Sequence, residues 1–443
     1  MKVTFIVPAI GKKPGQRYIA TWKMEPLAIA VLSGLTPEHV DRELFDDRVE
    51  LIDYETDTDL VAIPVETYTA KRVYEIADRF RARGIPVVLG GYHITLVPSE
   101  AGEHADALVT GNAEQVWETV VSDAEAGTLR KLYQGGIGFN DVAPDRSIFK
   151  GKKYLPVGLV ETGRGCGHYC EFCAIAGYYG AHYHPRSVDS IIADVLASGR
   201  RIFFFVDDNL AADPENLREL CRRLKPLKVL WCAQGTIELA RDPALLAEMK
   251  AAGCELILIG FESVEPESLQ KMGKRWSTAL GEREELVKVI HDAGIGIYAT
   301  FVLGYDGDTE ATFEATYAFA QRAGFFTAAF NHLLPFPGTR LYKRLESEGK
   351  LLSPQWWLEE DYNYGELAYQ PERLAPADVS LKCLQARQEF SSFKVLMDRG
   401  WKALLRGRLA MWPVFWVMNV RLGKEVDEKY NVPIGRHLDE LPK

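Results

Sequence analysis

The sequence predicts an α/β protein made of two successive runs of strand–helix alternation, followed by a helix-rich tail. Three observations predict it. Short apolar runs recur along the first three-quarters of the chain, and most end in glycine or a polar residue before a stretch with helical spacing. That alternation is the pattern of parallel sheets wound with helices. The two runs are separated near residue 150 by a segment that leads into a cysteine-rich loop. Past residue 345 the strand-like runs give way to helical spacing and many aromatics, among them Trp356, Trp357, Tyr362, Tyr364, Trp401, Trp412 and Trp416. The boundaries read as residues 1–135, 150–345 and 346–443.

In the first segment, Val3–Val7 is an apolar run, and Glu25–Leu35 reads as a helix with Pro26 in its first turn, where a missing N–H is tolerated. Leu51-Ile-Asp and Leu60–Val65 are further short apolar runs. Ala70–Arg83 has helical periodicity and stops at Gly84, a C-cap residue. Ile85–Gly91 and Ala107–Gly111 are strands running into glycine turns. This order predicts a doubly wound, Rossmann-like parallel sheet with ligands at the carboxyl ends of its strands. Those ends carry Glu66, Thr67, Tyr68 and Thr69, then Gly90, Gly91, Tyr92 and His93, then Gly111. Glycine there lets a bulky ligand approach the backbone. No G-x-G-x-x-G follows the first strand, so a dinucleotide site is not indicated. His93 reads as hydrogen-bonding locally rather than ligating a metal.

In the second segment, six strand-like runs end in polar residues or glycine: Val157–Glu161, Ile202–Val206 before Asp207-Asp208-Asn209, Val229–Ala233 before Gln234, Leu256–Ile259 before Gly260-Phe261-Glu262-Ser263, Ile297–Leu303 before Gly304-Tyr305, and Thr327–His332. Six strands, each with a helix-like stretch, predict a partial (β/α)6 barrel whose site lies at the strand carboxyl ends. Asp213, just before Pro214, reads as a helix N-cap.

The loop after the first of these strands holds Cys166, Cys170 and Cys173 in the spacing C-x3-C-x2-C, with no fourth cysteine nearby. Three thiolates on one glycine-flanked loop can hold three irons of a 4Fe-4S cluster. The fourth iron is then open to a small ligand, which makes a site for chemistry. Zinc is the other reading, with His168, His182 or His184 completing a Cys3His set. Structural zinc loops, however, usually pair C-x2-C with a second, distant pair, which is absent here.

Composition bounds the remaining classes. The 443 residues are 47% hydrophobic, enough for sizeable cores, and the net charge of −10 argues against binding nucleic acid by phosphate neutralisation. Cys221, Cys232, Cys254 and Cys383 sit in apolar or helical contexts and read as buried thiols. The N-terminal Met1–Pro8 reads as a buried strand, not a signal peptide. An iron–sulfur cluster calls for a reducing compartment, so the expectation is cytoplasmic. The run Leu409–Val420, flanked by Arg406, Arg408, Arg421 and Lys424, is too short to span a bilayer, and Pro413 interrupts it. It is expected to pack on the barrel, with membrane contact not expected; a segment lying on a membrane surface is the other reading.

The run Glu161–Ile175 with its three cysteines resembles the loop of the radical S-adenosylmethionine (SAM) enzymes, and the first segment resembles the cobalamin-binding domain fused to many of them. The resemblance covers the whole chain. It implies that the open iron chelates SAM, that Phe172 lies against adenine, and that Asp207 and Asp208 accept from the SAM ammonium. It further implies that Gln234 meets the methionyl carboxylate or the substrate, Glu262 the ribose hydroxyls, and Gly304 and Tyr305 the adenosine. In the first segment it places Glu66, Thr67, Tyr68 and Thr69 under a corrin, with Gly90, Gly91 and Gly111 bordering its nucleotide tail. The D-x-H-x-x-G motif of histidine-ligated cobalamin proteins is missing, so cobalamin would bind without a histidine ligand. The alternative for this segment is a vestigial Rossmann-like domain that only packs.

The implied activity is that of a cobalamin-dependent methyltransferase acting on an unactivated carbon of a small molecule, with an electron donor such as flavodoxin or ferredoxin. Radical SAM cyclases, oxidases, rearranging enzymes and transferases of another SAM-derived group are the neighbouring readings. A non-catalytic iron–sulfur redox or sensor protein is the reading from another class.

Overall fold

The computed structural model describes residues 1–138, 141–405 and 411–440. The chain divides into two compact units: residues 1–156, 355–364 and 431–443 form one, and residues 157–354 and 365–430 the other. The expected third segment, 346–443, is therefore not a unit of its own. Residues 355–364 and 431–443 belong to the first unit because Asn363–Tyr364 pairs with Val432–Pro433 in an antiparallel ladder, while Trp356 and Trp357 are buried there.

The first unit holds one parallel sheet of β1 (Lys2–Val7), β2 (Asp41–Asp46), β3 (Leu60–Pro64), β4 (Val87–Gly90), β5 (Ala107–Thr110) and β6 (Leu132–Gln134), in the order β2-β1-β3-β4-β5-β6. Crossover helices follow the expected spans: Leu27–Leu35 begins just after Pro26, and Ala70–Ala82 ends before Gly84, whose φ is +77°. One expectation fails. Leu51-Ile-Asp forms no strand, and the strand lies earlier, at Asp41–Asp46. This is an edge strand on which only Leu44 and Asp46 are buried while Asp41, Arg42 and Glu43 are wholly or partly exposed, so it lacks the apolar signature of a central strand. Because the chain leaves β1 in both directions, the sheet has a topological switch point between β1 and β3, the place where open α/β sheets bind ligands.

The second unit opens with β7 (Gly158–Val160) and a small antiparallel hairpin, β8 (Gly163–Gly165) with β9 (Tyr183–Pro185), which closes the base of the cysteine loop. Then come β10 (Ile202–Phe205), β11 (Leu230–Gly235), β12 (Cys254–Glu262), β13 (Gly296–Leu303) and β14 (Thr327–His332). Six parallel strands in the order β14-β13-β12-β11-β10-β7 make the partial barrel expected from sequence. Alternation sorts the faces: Trp231, Ala233, Ile257, Ile259, Ile297 and Ala299 are buried in the core under the helices. The residues between them, including Cys232, Leu256 and Tyr298, turn to the barrel lumen.

The lumen's amino-terminal end is sealed by the helices Phe393–Leu405 and Trp412–Lys429, whose Leu396 and Phe415 pack with Leu256 and Phe326. Pro413 does not interrupt the second of these. It stands in the first turn, where no intrahelical N–H is required. The rest of the run flagged in the sequence, Leu409 and Ala410 with Arg406 and Arg408, lies outside the described residues. Among the described residues no helix is long and apolar enough to cross a membrane.

Candidate active site

The cysteine loop is held at both ends. At its root, Asp207 at the end of β10 is fully buried, and its Oδ1 accepts from the backbone N–H of Thr162 (2.8 Å) and Gly163 (2.5 Å). The neighbouring Asp208 Oδ2 accepts from Gly165 N–H at 2.8 Å. Gly163 and Gly165 are required by the hairpin: a Cβ would sit 2.2 Å from Tyr183 Oη at the first and 2.2 Å from His182 O at the second. At its tip, Glu171 forms a latch. Its backbone exchanges bonds with Met272 O (2.9 Å) and Leu341 N–H (3.0 Å). Its carboxylate accepts from Arg344 Nε (2.8 Å) and from the Tyr305 hydroxyl. Arg344 also reaches Asp306, at 2.6 Å.

Between these anchors the three half-buried thiols lie within reach of one another's fields. Cys166 accepts from the His168 backbone N–H and the Asn209 side chain, and Cys173 from the N–H groups of Ala176 and Ile175. Burial raises all three thiols, Cys173 to about 12. Free thiolates are therefore disfavoured until a cation compensates them, and bonds to sulfur of this kind are what a cluster loop provides. The donor set fits a cluster held on three thiolates. Among the described residues no three His, Cys, Asp or Glu side chains converge as a single metal ion would require. His168, one of the histidines considered for zinc, is bonded to Glu238 at 2.9 Å and stacked on Trp276 at 3.7 Å.

Across from the loop, β12 ends in a register shift between Gly260 and Glu262. Glu262 has φ +60°, a left-handed conformation that is rare for a side-chain-bearing residue and tends to mark functional sites. The turn folds its carboxylate back over Gly260, where a Cβ would lie 2.2 Å from Glu262 Oε1. Oε1 accepts from Lys274 Nζ at 2.6 Å, and Lys274 also donates to Gly260 O at 2.8 Å. Burial works against the Lys274 charge, but Glu262 and then Cys170 outweigh it and raise its pKa. Lys274 is thus a buried cation beside the thiols, and it went unnoticed in the sequence, where Gly273-Lys274-Arg275-Trp276 looks like an exposed loop.

Residues 160–320 match the Radical SAM superfamily. The chain is 28% identical to the bacteriochlorophyllide d C-12(1)-methyltransferase of Chlorobaculum tepidum, over 90% of this chain and 88% of that one. It is 27% identical to the same organism's bacteriochlorophyllide d C-8(2)-methyltransferase, over 84% and 87%. Residues 160–320 thus form a radical SAM domain. The chain's fold is also that of the radical SAM methyltransferase TsrM from Kitasatospora setae (TM-score 0.61, 18% identity, 78% of each chain). It likewise resembles the cobalamin-dependent radical enzyme OxsB (TM-score 0.64, 14% identity, 99% of this chain and 77% of that one).

The enzyme brings together only part of the set read from sequence. The cysteines, Asp208, Gln234 and Glu262 all stand at strand carboxyl ends of the barrel, and Phe172 packs against the core there. Gln234 makes no side-chain hydrogen bond among the described residues. Asp207, expected to accept from the SAM ammonium, ties down the loop root through Oδ1, while its buried Oδ2 has no partner among the described residues, and burial raises its pKa to about 7. Tyr305, expected over the adenosine, is 1% exposed and belongs to the Glu171 latch. Gly304 is engaged through its N–H with Asp308 (2.9 Å) and through its carbonyl with Tyr369. Asp213 caps a helix as expected, accepting from Asn216 N–H at 3.1 Å.

In the first unit the turn after β3 is largely self-contained. Thr69 Oγ1 accepts from Glu66 N–H (3.1 Å) and donates to Glu66 O (3.0 Å), and Tyr68 packs on Trp356 and Tyr364. Thr67 Oγ1 bonds His93 Nδ1 at 3.2 Å, and His93 Nε2 bonds Glu100 at 3.1 Å. Buried with both ring nitrogens engaged, His93 is the local hydrogen-bonder expected. Glu66 alone projects from this turn. It is exposed, yet desolvation raises its carboxyl, with Arg48 opposing, as for a group in a recess.

Two of the glycines read as ligand-facing also have close neighbours in the protein itself. At Gly91 (φ +102°) a Cβ would lie 2.9 Å from the backbone of Val65, and at Gly111 (φ +74°) 2.3 Å from Gly135 O. They serve the close packing of the sheet's own turns.

Proposed function

We propose that this radical SAM enzyme is a cobalamin-dependent methyltransferase acting on a carbon of an apolar small molecule. The observation that supports it best is the presence in one chain of a three-cysteine loop at a barrel's carboxyl ends and a β2-β1-β3-β4-β5-β6 sheet with its switch point beside Glu66. The two bacteriochlorophyllide d methyltransferases, similar over most of the chain, point to methyl transfer. TsrM and OxsB, which share this fold, have been solved with cobalamin bound. Similarity to a hopanoid C-2 methylase (25% identity over 74% of this chain) supports an apolar acceptor.

In this reading Cys166, Cys170 and Cys173 hold the cluster and Phe172 borders the adenine. Asp208 offers an acceptor for the SAM ammonium. Burial raises its carboxyl to about 6, so it is ionised at neutral pH. Gln234 supplies both a donor and an acceptor for the SAM carboxylate or the substrate. Glu262 serves the ribose from its strained turn while remaining paired with Lys274. The first unit holds cobalamin at its switch point without a histidine ligand, since His93 is engaged elsewhere. Bound together, cluster, SAM and cobalamin supply an electron, a radical and a methyl group; the protein positions the partners and excludes water. An electron donor of the flavodoxin or ferredoxin kind and a cytoplasmic setting complete the reading.

Anaerobic reconstitution with iron, sulfide and hydroxocobalamin, followed by methyl-labelled SAM and a candidate macrocyclic acceptor, tests it. Label in the acceptor supports the reading; failure to bind cobalamin at micromolar concentration refutes it. A second reading, oxidative ring closure, is favoured by similarity to the anaerobic magnesium-protoporphyrin IX monomethyl ester cyclase of Cereibacter sphaeroides (23% identity, 91% of this chain). It would give SAM cleavage without label transfer.

A further inference from the structure

The helices that seal the barrel, Phe393–Leu405 and Trp412–Lys429, carry an outer surface that neither the fold nor the proposed chemistry uses. Their inner faces are fully engaged: Phe415 is buried, and Arg399 and Asn419 both donate to Phe326 O, at 3.0 and 3.1 Å. Their outer faces are apolar too. Phe393, Met397 and Trp401 recur every fourth residue and are 75%, 47% and 62% exposed. On the second helix Val414, Val417 and Val420 recur every third residue at 44%, 73% and 43%, behind Trp412 at 38%. Residues three or four apart share a helix face, so each set is a stripe. A Cβ at Gly400 would lie 2.9 Å from the Trp416 ring, and one at Gly423 3.1 Å from Ser391 Cβ, so the two helices run side by side. Large apolar side chains scattered singly over a surface are ordinary. Here seven of the seventeen exposed ones among the described residues fall within 393–420.

Charge indicates what covers this surface. Between 393 and 429 the described residues carry Lys394, Lys402, Arg421, Lys424 and Lys429 besides the inward-turned Arg399, against Asp398, Glu425, Asp427 and Glu428, of which Asp398 pairs with Lys402 and the buried Glu425 with Arg421 and Lys429. The chain as a whole carries −10. A twofold contact with a second copy would set this basic surface against itself. An anionic lipid surface complements it, and exposed tryptophans with basic neighbours on helices that do not span are what an interfacial segment presents.

We propose that this hairpin seats the enzyme on an anionic bilayer, with Phe393, Trp401, Trp412 and Val417 in the headgroup–acyl boundary. This departs from the expectation of no membrane contact, and it does not depend on the methyltransferase reading. Because the hairpin closes the amino-terminal end of the barrel, the carboxyl end with its cysteine loop stays clear of the anchoring face.

Flotation of the full-length, anaerobically purified protein with vesicles tests the proposal. One set of vesicles is phosphatidylcholine; the other contains roughly one-third phosphatidylglycerol. The expected result is binding to the anionic set at least about tenfold tighter, weakened by added salt. Trp401→Glu with Val417→Glu should lower that binding by about tenfold or more while leaving the thermal transition and SAM cleavage unchanged, since both side chains are exposed. Lys394→Glu with Lys424→Glu should remove the preference for anionic vesicles. Absence of wild-type binding to either set, or equal binding by wild type and the Trp401/Val417 variant, overturns the proposal. A concentration-dependent dimer abolished by that variant, with no vesicle binding, would assign the face to a second copy instead.

Discussion

Replacing Lys274 with Met should destabilise the barrel unit far more than loss of a surface charge does. The Lys274 and Glu262 side chains are only 8% and 9% exposed and lie 2.6 Å apart. Removing one partner of such a pair leaves a buried, uncompensated charge, which costs about 3–5 kcal/mol, against about 0.2–1 kcal/mol for an exposed pair. A unit of this size shifts its melting temperature by about 2–4 °C per kcal/mol, so a fall on the order of 10 °C is expected. Glu262→Gln in the Lys274→Met background should restore much of the loss, because no charge then remains buried. Calorimetry of the single and double variants is the assay. A Lys274→Met melting temperature within about 2 °C of wild type, or a double variant no better than the single, would refute the paired, buried arrangement.

Arg344→Leu removes the Glu171 and Asp306 contacts of the loop latch, worth about 1.5–3 kcal/mol as charge-assisted bonds before discounting for partial exposure. Iron occupancy after reconstitution should fall several-fold, and Arg344→Lys should recover part of it; unchanged iron content would count against the latch. Asp207 has a folded-state pKa near 7, raised by burial above the ordinary carboxylate value, so between about pH 4 and 7 the folded protein binds more protons than the unfolded chain. Its contribution to stability is therefore fully present at low pH and lost as pH rises towards 7, at most about 1.4 kcal/mol per pH unit. Asp207→Asn, which keeps the Oδ1 acceptor for Thr162 and Gly163, should flatten that slope, and an identical pH profile would contradict it. Gly91→Val should disrupt the first unit itself, seen as a lost or lowered melting transition, because its Cβ meets the Val65 backbone; an intact unit that merely binds cobalamin less well would restore a ligand-facing role for the glycine.

What could be read from the sequence follows the range of the interactions. The six barrel strands and the cysteine loop were legible because each is a local pattern of apolar runs, turn residues and fixed cysteine spacing. The strand at Asp41–Asp46 was not, because a charged edge strand satisfies its burial with two residues only. The protein contacts of Asp207 and Tyr305 were not legible for a related reason. Their partners, Thr162 and Glu171, are 45 and 134 residues away, and no local pattern reports a carboxylate turned toward a distant backbone or a hydroxyl aimed at a loop. Lys274 was missed because a lysine in a glycine-flanked loop is nearly always solvated; only the left-handed turn at Glu262 shows why this one is buried. Of the tail's tryptophans, Trp356 and Trp357 are buried, whereas Trp401 and Trp412 are exposed on helices that carry apolar residues on both their inner and their outer faces.

The most direct test of the account is metal and product analysis of anaerobically reconstituted wild type beside the Cys166→Ala, Cys170→Ala and Cys173→Ala triple variant. The account predicts iron and sulfide in amounts matching one 4Fe-4S cluster in the wild type, with 5′-deoxyadenosine or another SAM-derived product under reducing conditions, and neither in the variant. Stoichiometric zinc in place of iron, or an intact cluster that leaves SAM unchanged, would contradict it.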